Sequence, residues 1–439
     1  MLKLALPIAF QNLLLSSAHL IDTAMIIGLG NAATAAIGIA GRWMFLLNLG
    51  IFGVSSAAAT LVSQYWGAKE YSRIQNTLGV ALLVAVSFGV VFNAGAFFVP
   101  EAMMSVFTNE AEVITLGAEY LRSVSFYAVF ITFSGILGAV LRATEDVITP
   151  LVAAVVGNVT DTALSFFLIY GKLGLPALGM KGAAYGTWIA AVLQCSLLIV
   201  MAFARKSMVF AAPRELFRME RVFVKKFFSV ASPVILNELF WAVGTNIYSM
   251  VLARQGNENY AAYTTFAAVQ EMSFVFFVGV CHACAIMTGK SIGEGKLREA
   301  RKIANRFVIV TPLMGVLVGA GMILLRNPVL SLLPIETEGA RQTTAVLLLM
   351  YGFWLPVRMI PYTSIVGVFR AGGDVKVGLF YDLFSLYALG IPIVLVFGLA
   401  IKVSFPLLVF LMFAGEDVVK TVLCLFRMRS GKWIHVLTD

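Results

Sequence analysis

Twelve long apolar runs divide the chain, and they constrain its fold more than any other feature of the sequence. A helix rises about 1.5 Å per residue, so about 20 apolar residues cross the ~30 Å hydrocarbon core of a bilayer. Backbone N–H and C=O groups in lipid must be paired within their own segment, which favours helices. We therefore expect an all-α integral membrane protein with twelve transmembrane helices, at residues 4–29, 34–66, 77–99, 119–141, 148–170, 181–203, 228–253, 261–290, 303–325, 343–369, 377–397 and 404–426.

The composition excludes a soluble protein. The 439 residues are 60% hydrophobic and only 13% charged, whereas soluble domains are about 45–50% apolar and about 25% charged. Four cysteines lie within apolar spans, so we expect free, buried thiols without a disulfide framework. The run Cys281-His282-Ala283-Cys284 superficially resembles a metal motif, but it lacks the other ligands that such a site needs.

The positions of the basic residues predict the orientation. With the N-terminus inside, the inner segments hold 23 of the 32 Lys and Arg residues and the outer segments hold 7. Positive charge concentrates in cytoplasmic loops, so we expect a multi-pass protein of the cell membrane with both termini cytoplasmic. The net charge of +9 then favours anionic membrane lipids as partners and argues against nucleic acid.

The two halves of the chain repeat each other. A shift of 226 residues pairs Pro7 with Pro233 and Gly30 with Gly256. Six spans per repeat is an even number, so both copies point the same way across the membrane, and transporters often bind substrate between such repeats. The predicted divisions are an N-terminal six-helix bundle at 1–203, a basic cytoplasmic linker at 204–227, a C-terminal six-helix bundle at 228–426 and a cytoplasmic tail at 427–439.

The first span carries a polar stripe that should not face lipid. Asn12, Ser16, His19 and Thr23 recur at helical spacing, and Gln11 and Asp22 flank the stripe. An ionised carboxylate in hydrocarbon costs several kcal/mol or more, so Asp22 should face a bundle interior or a watery cavity. The alternative is a polar seam that joins helices.

Other charged residues also fall inside spans. Asp161 shares a helix face with Asn158, Thr162 and Ser165. Asp161 and Asp22 could share a proton, because two nearby carboxylates do not both ionise easily; alternatively, Asp161 forms a structural ion pair with Arg42. In the second half, the charged residues within spans are Glu238, with Trp241 on its face, Glu271, with Arg358 as its expected partner, and Asp382.

Motifs for other activities are missing from the sequence. It has no glycine-rich nucleotide-binding loop followed by Lys, so ATP is not expected to act directly. Three histidines are too dispersed for a His-based metal site. We expect a protein that is not an enzyme, has no cofactor and is driven by an ion gradient.

Short motifs in order along the chain resemble multidrug and toxic compound extrusion (MATE) transporters. The resemblance covers essentially the whole chain. The residues that carry it include Pro7, Asp22-Thr23, Gly28-Leu29-Gly30, Gln64-Tyr65-Trp66-Gly67-Ala68, Leu141-Arg142-Ala143 with Asp146, Asn237-Glu238 with Trp241, Gly293-Glu294-Gly295 and Phe369-Arg370-Ala371-Gly372-Gly373-Asp374.

The resemblance implies a pair of helix bundles that exports organic, often cationic, compounds by antiport with H⁺ or Na⁺. Asp22 matches the family's coupling acid on its first helix. The family often has an Asn and, four residues later, an Asn or Asp on the fifth helix, where this chain has Asp161 and Ser165. The implied coupling residues are Asp22, Asp161, Asn158, Thr162, Ser165, Glu238 and Asp374, with Asp22 and Asp161 as the ligands if the ion is Na⁺.

The polar and aromatic residues left within the spans are candidates for the substrate cavity. They are Gln11, Asn12, His19, Arg42, Trp241, Glu271 and Arg358. The expected partners are small organic substrates, and the expected oligomeric state is a monomer. Two alternatives remain: a lipid-linked oligosaccharide flippase of related architecture and, more remotely, an intramembrane enzyme. The excess of acids over bases within the spans favours cationic cargo over the flippase.

Overall fold

The computed structural model describes residues 2–174, 176–205, 207, 216, 220–333, 335 and 337–438, and these residues are mostly helical. We number the helices in chain order. They are α1 Leu2–Ile27, α2 Asn31–Ala68, α3 Tyr71–Phe98, α4 Pro100–Ser105, α5 Ala111–Val124, α6 Tyr127–Ala143, α7 Ile148–Tyr170, α8 Met180–Ala204, α9 Arg221–Ala253, α10 Asn257–Gly293, α11 Leu297–Leu324, α12 Arg326–Leu332, α13 Glu338–Phe369, α14 Val375–Ile401 and α15 Phe405–Ser430.

Thirteen of these fifteen helices account for the twelve predicted spans, because α5 and α6 together correspond to one span. Within the described residues, nine helices are long and apolar enough to cross a membrane, and α5 with α6 forms a tenth span that bends by 52°. Helix α1 contributes the apolar stretch Lys3–Leu15. Helix α15 is 26 residues long and carries three buried charged residues. The all-α, twelve-helix prediction is confirmed.

The helix boundaries differ from the predicted spans where short helices or breaks intervene. The predicted span 119–141 is two helices, α5 and α6, separated at Ser125 and Phe126. Two short helices, α4 and α12, were not predicted and hold matching places in the two repeats. A six- or seven-residue helix is too short to show a hydrophobic period, so the sequence could not reveal it.

The described chain divides into two compact units. One comprises residues 10–231, and the other comprises residues 1–9 with 232–439; we call them the N-terminal unit and the C-terminal unit. The divisions fall inside α1 and α9, close to Pro7 and Pro233. Of the predicted linker at 204–227, residues 206, 208–215 and 217–219 lie outside the described residues, and residues 221–227 form the start of α9.

Backbone geometry repeats between the units along with the sequence. Gly30 precedes α2 and Gly256 precedes α10, and both have φ +104°. Residues with a side chain rarely adopt this conformation. The same glycine therefore closes the first loop of each repeat, as the sequence shift of 226 predicts.

The end of the described chain folds back onto the C-terminal unit. We call residues 431–438 the tail and residues 371–374 the turn between α13 and α14. Trp433 is fully buried in a cluster that includes Phe307 and Phe369. The His435 N–H donates to the Gly372 carbonyl at 2.8 Å, so the tail completes the turn.

Candidate ion-coupling site

The N-terminal unit places two carboxylates, from α1 and α7, near the same tyrosines. Asp22 and Asp161 both act electrostatically on the hydroxyls of Tyr120 and Tyr127. These tyrosines lie on either side of the break between α5 and α6, and Tyr120 is buried. The structure thus brings Asp22 and Asp161 into one polar region, and their coupling role remains a prediction.

Three polar atoms on α1 and α7 are buried without a hydrogen-bond partner among the described residues. They are Asp22 Oδ1, Asn12 Nδ2 and Asn158 Nδ2. Such atoms cost free energy unless a proton, an ion or water satisfies them. Of the three, only the Asp22 oxygen can accept a proton or bind a small cation, because the two amide nitrogens are donors.

Close packing of α7 against α8 fixes the position of Asp161. The Ser165 hydroxyl donates to Asp161 Oδ1 at 3.3 Å. A Cβ on Gly186 of α8 would overlap the Ser165 side chain and lie 2.8 Å from its backbone nitrogen. Only glycine allows this approach, so the small residue on α8 sets where the Asp161 face lies.

A second contact ties α7 to α1. The Tyr170 hydroxyl donates to the Met25 carbonyl at 3.0 Å. Gly28 lies beside this bond, since a Cβ there would be 3.3 Å from the same hydroxyl. The bond joins the two helices that carry Asp22 and Asp161.

The other predicted residues of the N-terminal unit have varied surroundings. Gln11 accepts a hydrogen bond from Arg142 Nη1 at 3.5 Å. Arg42 is exposed and lies over the Phe107 ring at 5.7 Å. Thr162 is partly buried. The side chains of Ser16, His19 and Thr23 lie outside the described residues.

A cavity of about 550 Å³ opens at the loop after α1. Its lining includes Gly30, Glu112, Glu119 and Lys181, and Lys181 Nζ lies 3.3 Å from a Glu119 oxygen. Glu119 directly precedes Tyr120 in α5, so this cavity opens beside the helix that borders the two carboxylates.

The C-terminal unit holds two of its predicted acids, Glu238 and Asp382, in ion pairs. Arg370 Nη2 lies 2.6 Å from Glu238 Oε1. Lys420 Nζ lies 2.6 Å from Asp382 Oδ1 and 2.7 Å from Glu416 Oε1. Buried charges need such partners to offset their desolvation.

The predicted pairing of Arg358 with Glu271 is wrong. Arg358 Nη1 instead lies 3.3 Å from Asp417 Oδ2, and Trp354 Nε1 donates to the same oxygen at 2.9 Å. Glu271 is exposed on α10. Arg358 and Asp417 lie on packed neighbours, α13 and α15, whereas spacing along the sequence cannot tell which helices are neighbours.

Asp374 belongs to the turn that the tail completes. Arg427 donates two hydrogen bonds to the Asp374 carboxylate, from Nε to Oδ2 at 2.7 Å and from Nη2 to Oδ1 at 3.0 Å. His435 Nε2 lies 3.5 Å from Asp374 Oδ1. The hydrogen bond to Asp374 raises the pKa of Arg427. The geometry is that of a helix-end anchor, and the coupling role that the family resemblance implies for Asp374 remains a prediction.

Three charged residues of α15 were missed by the sequence reasoning. Glu416, Asp417 and Lys420 are buried, although Lys420 is one of the 23 basic residues that the predicted topology assigns to the inner segments. The signal that could have found them is the i, i+4 spacing of Glu416 and Lys420 inside an otherwise apolar span. Counting basic residues by loop overlooked it.

The four cysteines are free and buried. Cys281 Sγ donates to Thr363 Oγ1 at 3.6 Å. Among the described residues, no three His, Cys, Asp or Glu side chains are grouped as a metal site. The run Cys281-His282-Ala283-Cys284 is therefore packed within α10 as an apolar segment would be.

Comparison with known families decides the class of the protein. The model of the MatE family matches residues 7–167 and 233–396, one stretch in each repeat. The chain belongs to the MatE family. It is a multi-pass membrane transporter and not an enzyme.

Curated relatives of the MatE type align over nearly the whole chain. A protein described as probable multidrug resistance protein NorM, from Thermotoga maritima, is 20% identical over 99% of this chain and 92% of its own length. Probable multidrug resistance protein YoeA of Bacillus subtilis is 26% identical over 89% of this chain and 84% of its own.

Solved structures share the MatE fold at low sequence identity. A transporter of the MOP superfamily from Pyrococcus furiosus, reported with a binding pocket of reverse polarity that suggests a different function, superposes with a TM-score of 0.89. It is 18% identical and covers 98% of this chain and 96% of its own. An outward-facing multidrug resistance MATE transporter has a TM-score of 0.86 at 19% identity, over 98% of this chain and 94% of its own.

Proposed function

We propose that the protein is a cation-coupled antiporter that exports organic, mainly cationic, compounds by alternating access. The observation that carries this proposal is the buried Oδ1 of Asp22, which has no hydrogen-bond partner among the described residues, near tyrosines on which Asp161 also acts electrostatically. The relatives' descriptions as probable multidrug resistance proteins support the cargo class.

Coupling follows from the cost of a buried charge. An ionised Asp22 in a protein interior favours uptake of a proton or a small cation. Uptake removes the charge, so the polar stripe on α1 can repack and release a cationic substrate. The coupling ion is H⁺ or Na⁺, and the proposal needs no other cofactor.

The charge placement favours cationic cargo over an anionic lipid-linked headgroup. The buried bases Arg358, Arg370 and Lys420 are each paired with a carboxylate. A flippase for lipid-linked oligosaccharides would need basic side chains available to a diphosphate. The paired bases of the C-terminal unit do not offer that.

We also propose a membrane location, an orientation and an oligomeric state for the protein. Because basic residues concentrate on one side of the predicted topology, both termini are cytoplasmic and the protein lies in the cell membrane. It works as a monomer among anionic lipids, and nucleic acid is not a partner.

Ethidium export from proteoliposomes tests the coupling. We impose a pH gradient or a Na⁺ gradient separately, and expect one of them to drive export by the wild type. Asp22→Asn should reduce export to the level of protein-free liposomes, because amide nitrogen and oxygen cannot exchange a proton or hold a cation as a carboxylate does.

Glu110→Gln is the matched control, since Glu110 is an exposed acid that precedes α5. It should export like the wild type. If Asp22→Asn exports ethidium as fast as the wild type under both gradients, Asp22 has no coupling role. Transport of an oligosaccharide lipid without ethidium export would favour the flippase.

A further inference from the structure

The C-terminal unit contains a buried charged cluster that no sequence motif of the family marks. Its five members come from α13, α14 and α15. All are largely buried, with side-chain exposures between 3% for Asp417 and 17% for Arg358. We call this set the C-unit cluster: Arg358, Asp382, Glu416, Asp417 and Lys420.

The C-unit cluster has two limbs joined on α15. In the first limb, Lys420 lies between Asp382 and Glu416, and Asn237 Nδ2 of α9 donates to Asp382 Oδ2 at 3.1 Å. In the second limb, Arg358 Nη1 donates a hydrogen bond to Asp417 Oδ2 at 3.3 Å. Glu416 and Asp417 are consecutive residues, so the two limbs share one turn of helix.

The charges of the C-unit cluster do not balance. Three carboxylates, on Asp382, Glu416 and Asp417, face two cations, on Arg358 and Lys420. The neighbouring Glu238–Arg370 pair is neutral in itself. An uncompensated negative charge buried among membrane-spanning helices costs free energy. Binding one more positive charge would therefore stabilise the cluster.

Tyr248 of α9 is a buried residue within electrostatic range of the C-unit cluster. Tyr248 is 4% exposed, and its hydroxyl has no hydrogen-bond partner among the described residues. Glu416, Asp417 and Arg358 all act electrostatically on it. Tyr248 is the repeat mate of Asp22 under the shift of 226, so the two units have polar centres at matching positions of α1 and α9.

We propose that the C-terminal unit binds a proton of its own, carried by the carboxylate of Glu416 or Asp417. Two adjacent carboxylates do not both ionise cheaply in a low-dielectric region. The proton balances the excess charge, and its release leaves Glu416 and Asp417 to the cations that already contact them. No bond other than the O–H bond forms or breaks.

A proton fits this site better than a metal ion does. The carboxylate oxygens that face inward already accept bonds at 2.6–3.3 Å from Lys420, Arg358 and Trp354. Among the described side chains, no three acids converge as metal ligands. A proton needs only one free oxygen.

The titratable and charged groups near the site come from every packed helix. Helix α9 contributes Tyr248, and α10 contributes Tyr263. Helix α13 contributes Arg358 and Tyr351. The remaining groups are Asp382 of α14, Lys420 and Cys424 of α15 and Arg370, which acts on Asp382.

Infrared difference spectroscopy of purified protein in lipid nanodiscs tests the proposal. We titrate pH and follow the C=O stretch of protonated carboxyl groups. The wild type should show one protonated carboxyl that is absent in Glu416→Gln or Asp417→Asn, and it should persist in Asp22→Asn. Glu299→Gln, an exposed acid on α11, is the matched control and should keep the band.

Tyr248→Phe keeps the test informative if the acid variants fold poorly. It removes one hydroxyl and keeps the ring, so the band should remain but titrate at a different pH. A band unaffected by Glu416→Gln, Asp417→Asn and Tyr248→Phe overturns the proposal. A band that Na⁺ abolishes at constant pH also overturns it, because the site would then be a sodium site.

The proposal rests on the proposed antiport only for its use in transport. Proton binding is measured without a substrate or a gradient, so it can fail while Asp22 still couples export. Conversely, loss of ethidium coupling at Asp22 would leave the infrared result standing.

Discussion

Asp22 and Tyr248 occupy matching positions in the two repeats but differ in chemistry. In the N-terminal unit, α1 supplies the acid itself. In the C-terminal unit, α9 supplies a hydroxyl, and α15 supplies the acids Glu416 and Asp417. Both repeats therefore have polar residues at the matching position of their first helix, but the acid Asp22 lies on α1 in the N-terminal unit and the acids Glu416 and Asp417 lie on α15 in the C-terminal unit.

Lys420 should be the most costly single side chain to remove from the C-unit cluster. Lys420→Met leaves Asp382 and Glu416 without their common cation, and breaking a buried ion pair costs about 3–5 kcal/mol. We expect a clear fall in the thermal unfolding temperature in detergent. The deficit should shrink at low pH, where protonation neutralises the stranded carboxylates.

Lys376→Met is the control for this loss of charge, because Lys376 is exposed at the start of α14. It should unfold within about 0.5 kcal/mol of the wild type. Equal stability of the two variants would contradict the view that Lys420 holds the C-unit cluster together.

The residue scale also marks the limit of what sequence can predict. Asp22 and Asp161 were identifiable because a carboxylate stands out on an apolar helix. The ion-pair partners of buried charges were not identifiable. Arg358 pairs with Asp417 because α13 packs against α15, and spacing along the sequence does not show which helices pack together. Lys420 was misplaced because a buried amine near a span end looks like a cytoplasmic anchor until its partners are seen.

At the scale of elements, glycines decide how closely α7 and α8 approach. Gly186 should not accept even a methyl group, since its Cβ would press on Ser165. We expect Gly186→Ala to cost about 1–3 kcal/mol of stability through overpacking. It should also lower ethidium export, because Ser165 holds Asp161.

Gly38→Ala provides the matched control within α2. A Cβ at Gly38 meets nothing within 4 Å, and alanine is the better helix former by about 0.5–1 kcal/mol. Its stability should equal or exceed that of the wild type. If Gly186→Ala behaves the same way, the α7–α8 contact does not set the site.

Helices were predictable as elements, and their ends less so. The span 148–170 matches α7 because Pro150 and Gly171 delimit it. The predicted span 119–141 contains a bend of 52° between α5 and α6, which the hydropathy of its residues does not reveal. Hydropathy measures what lipid tolerates and does not record the direction of a helix.

At the scale of the whole molecule, the repeat makes a quantitative prediction. Gly30 and Gly256 share φ +104° with open space around them, so an added methyl group strains only the backbone. Gly30→Ala and Gly256→Ala should each cost of order 1–3 kcal/mol. Because each belongs to a different unit, the two losses should add in the double variant.

Calorimetric unfolding of the two single variants and the double variant measures this. Gly41→Ala is the control, since its Cβ also meets nothing within 4 Å but its backbone is helical. Unequal losses for Gly30 and Gly256 would mean that the repeat is preserved in sequence but not in backbone energetics.

The docked tail has a consequence for membrane insertion. The turn at 371–374 precedes α14, and the tail follows α15, so the chain crosses the bilayer twice between them. Trp433 can reach its cluster only if both helices have been threaded through the membrane. The hydrogen bond from His435 to Gly372 can therefore form only after both helices are inserted correctly. If the final hairpin is mis-inserted, the apolar site for Trp433 stays empty and exposed to quality-control proteases.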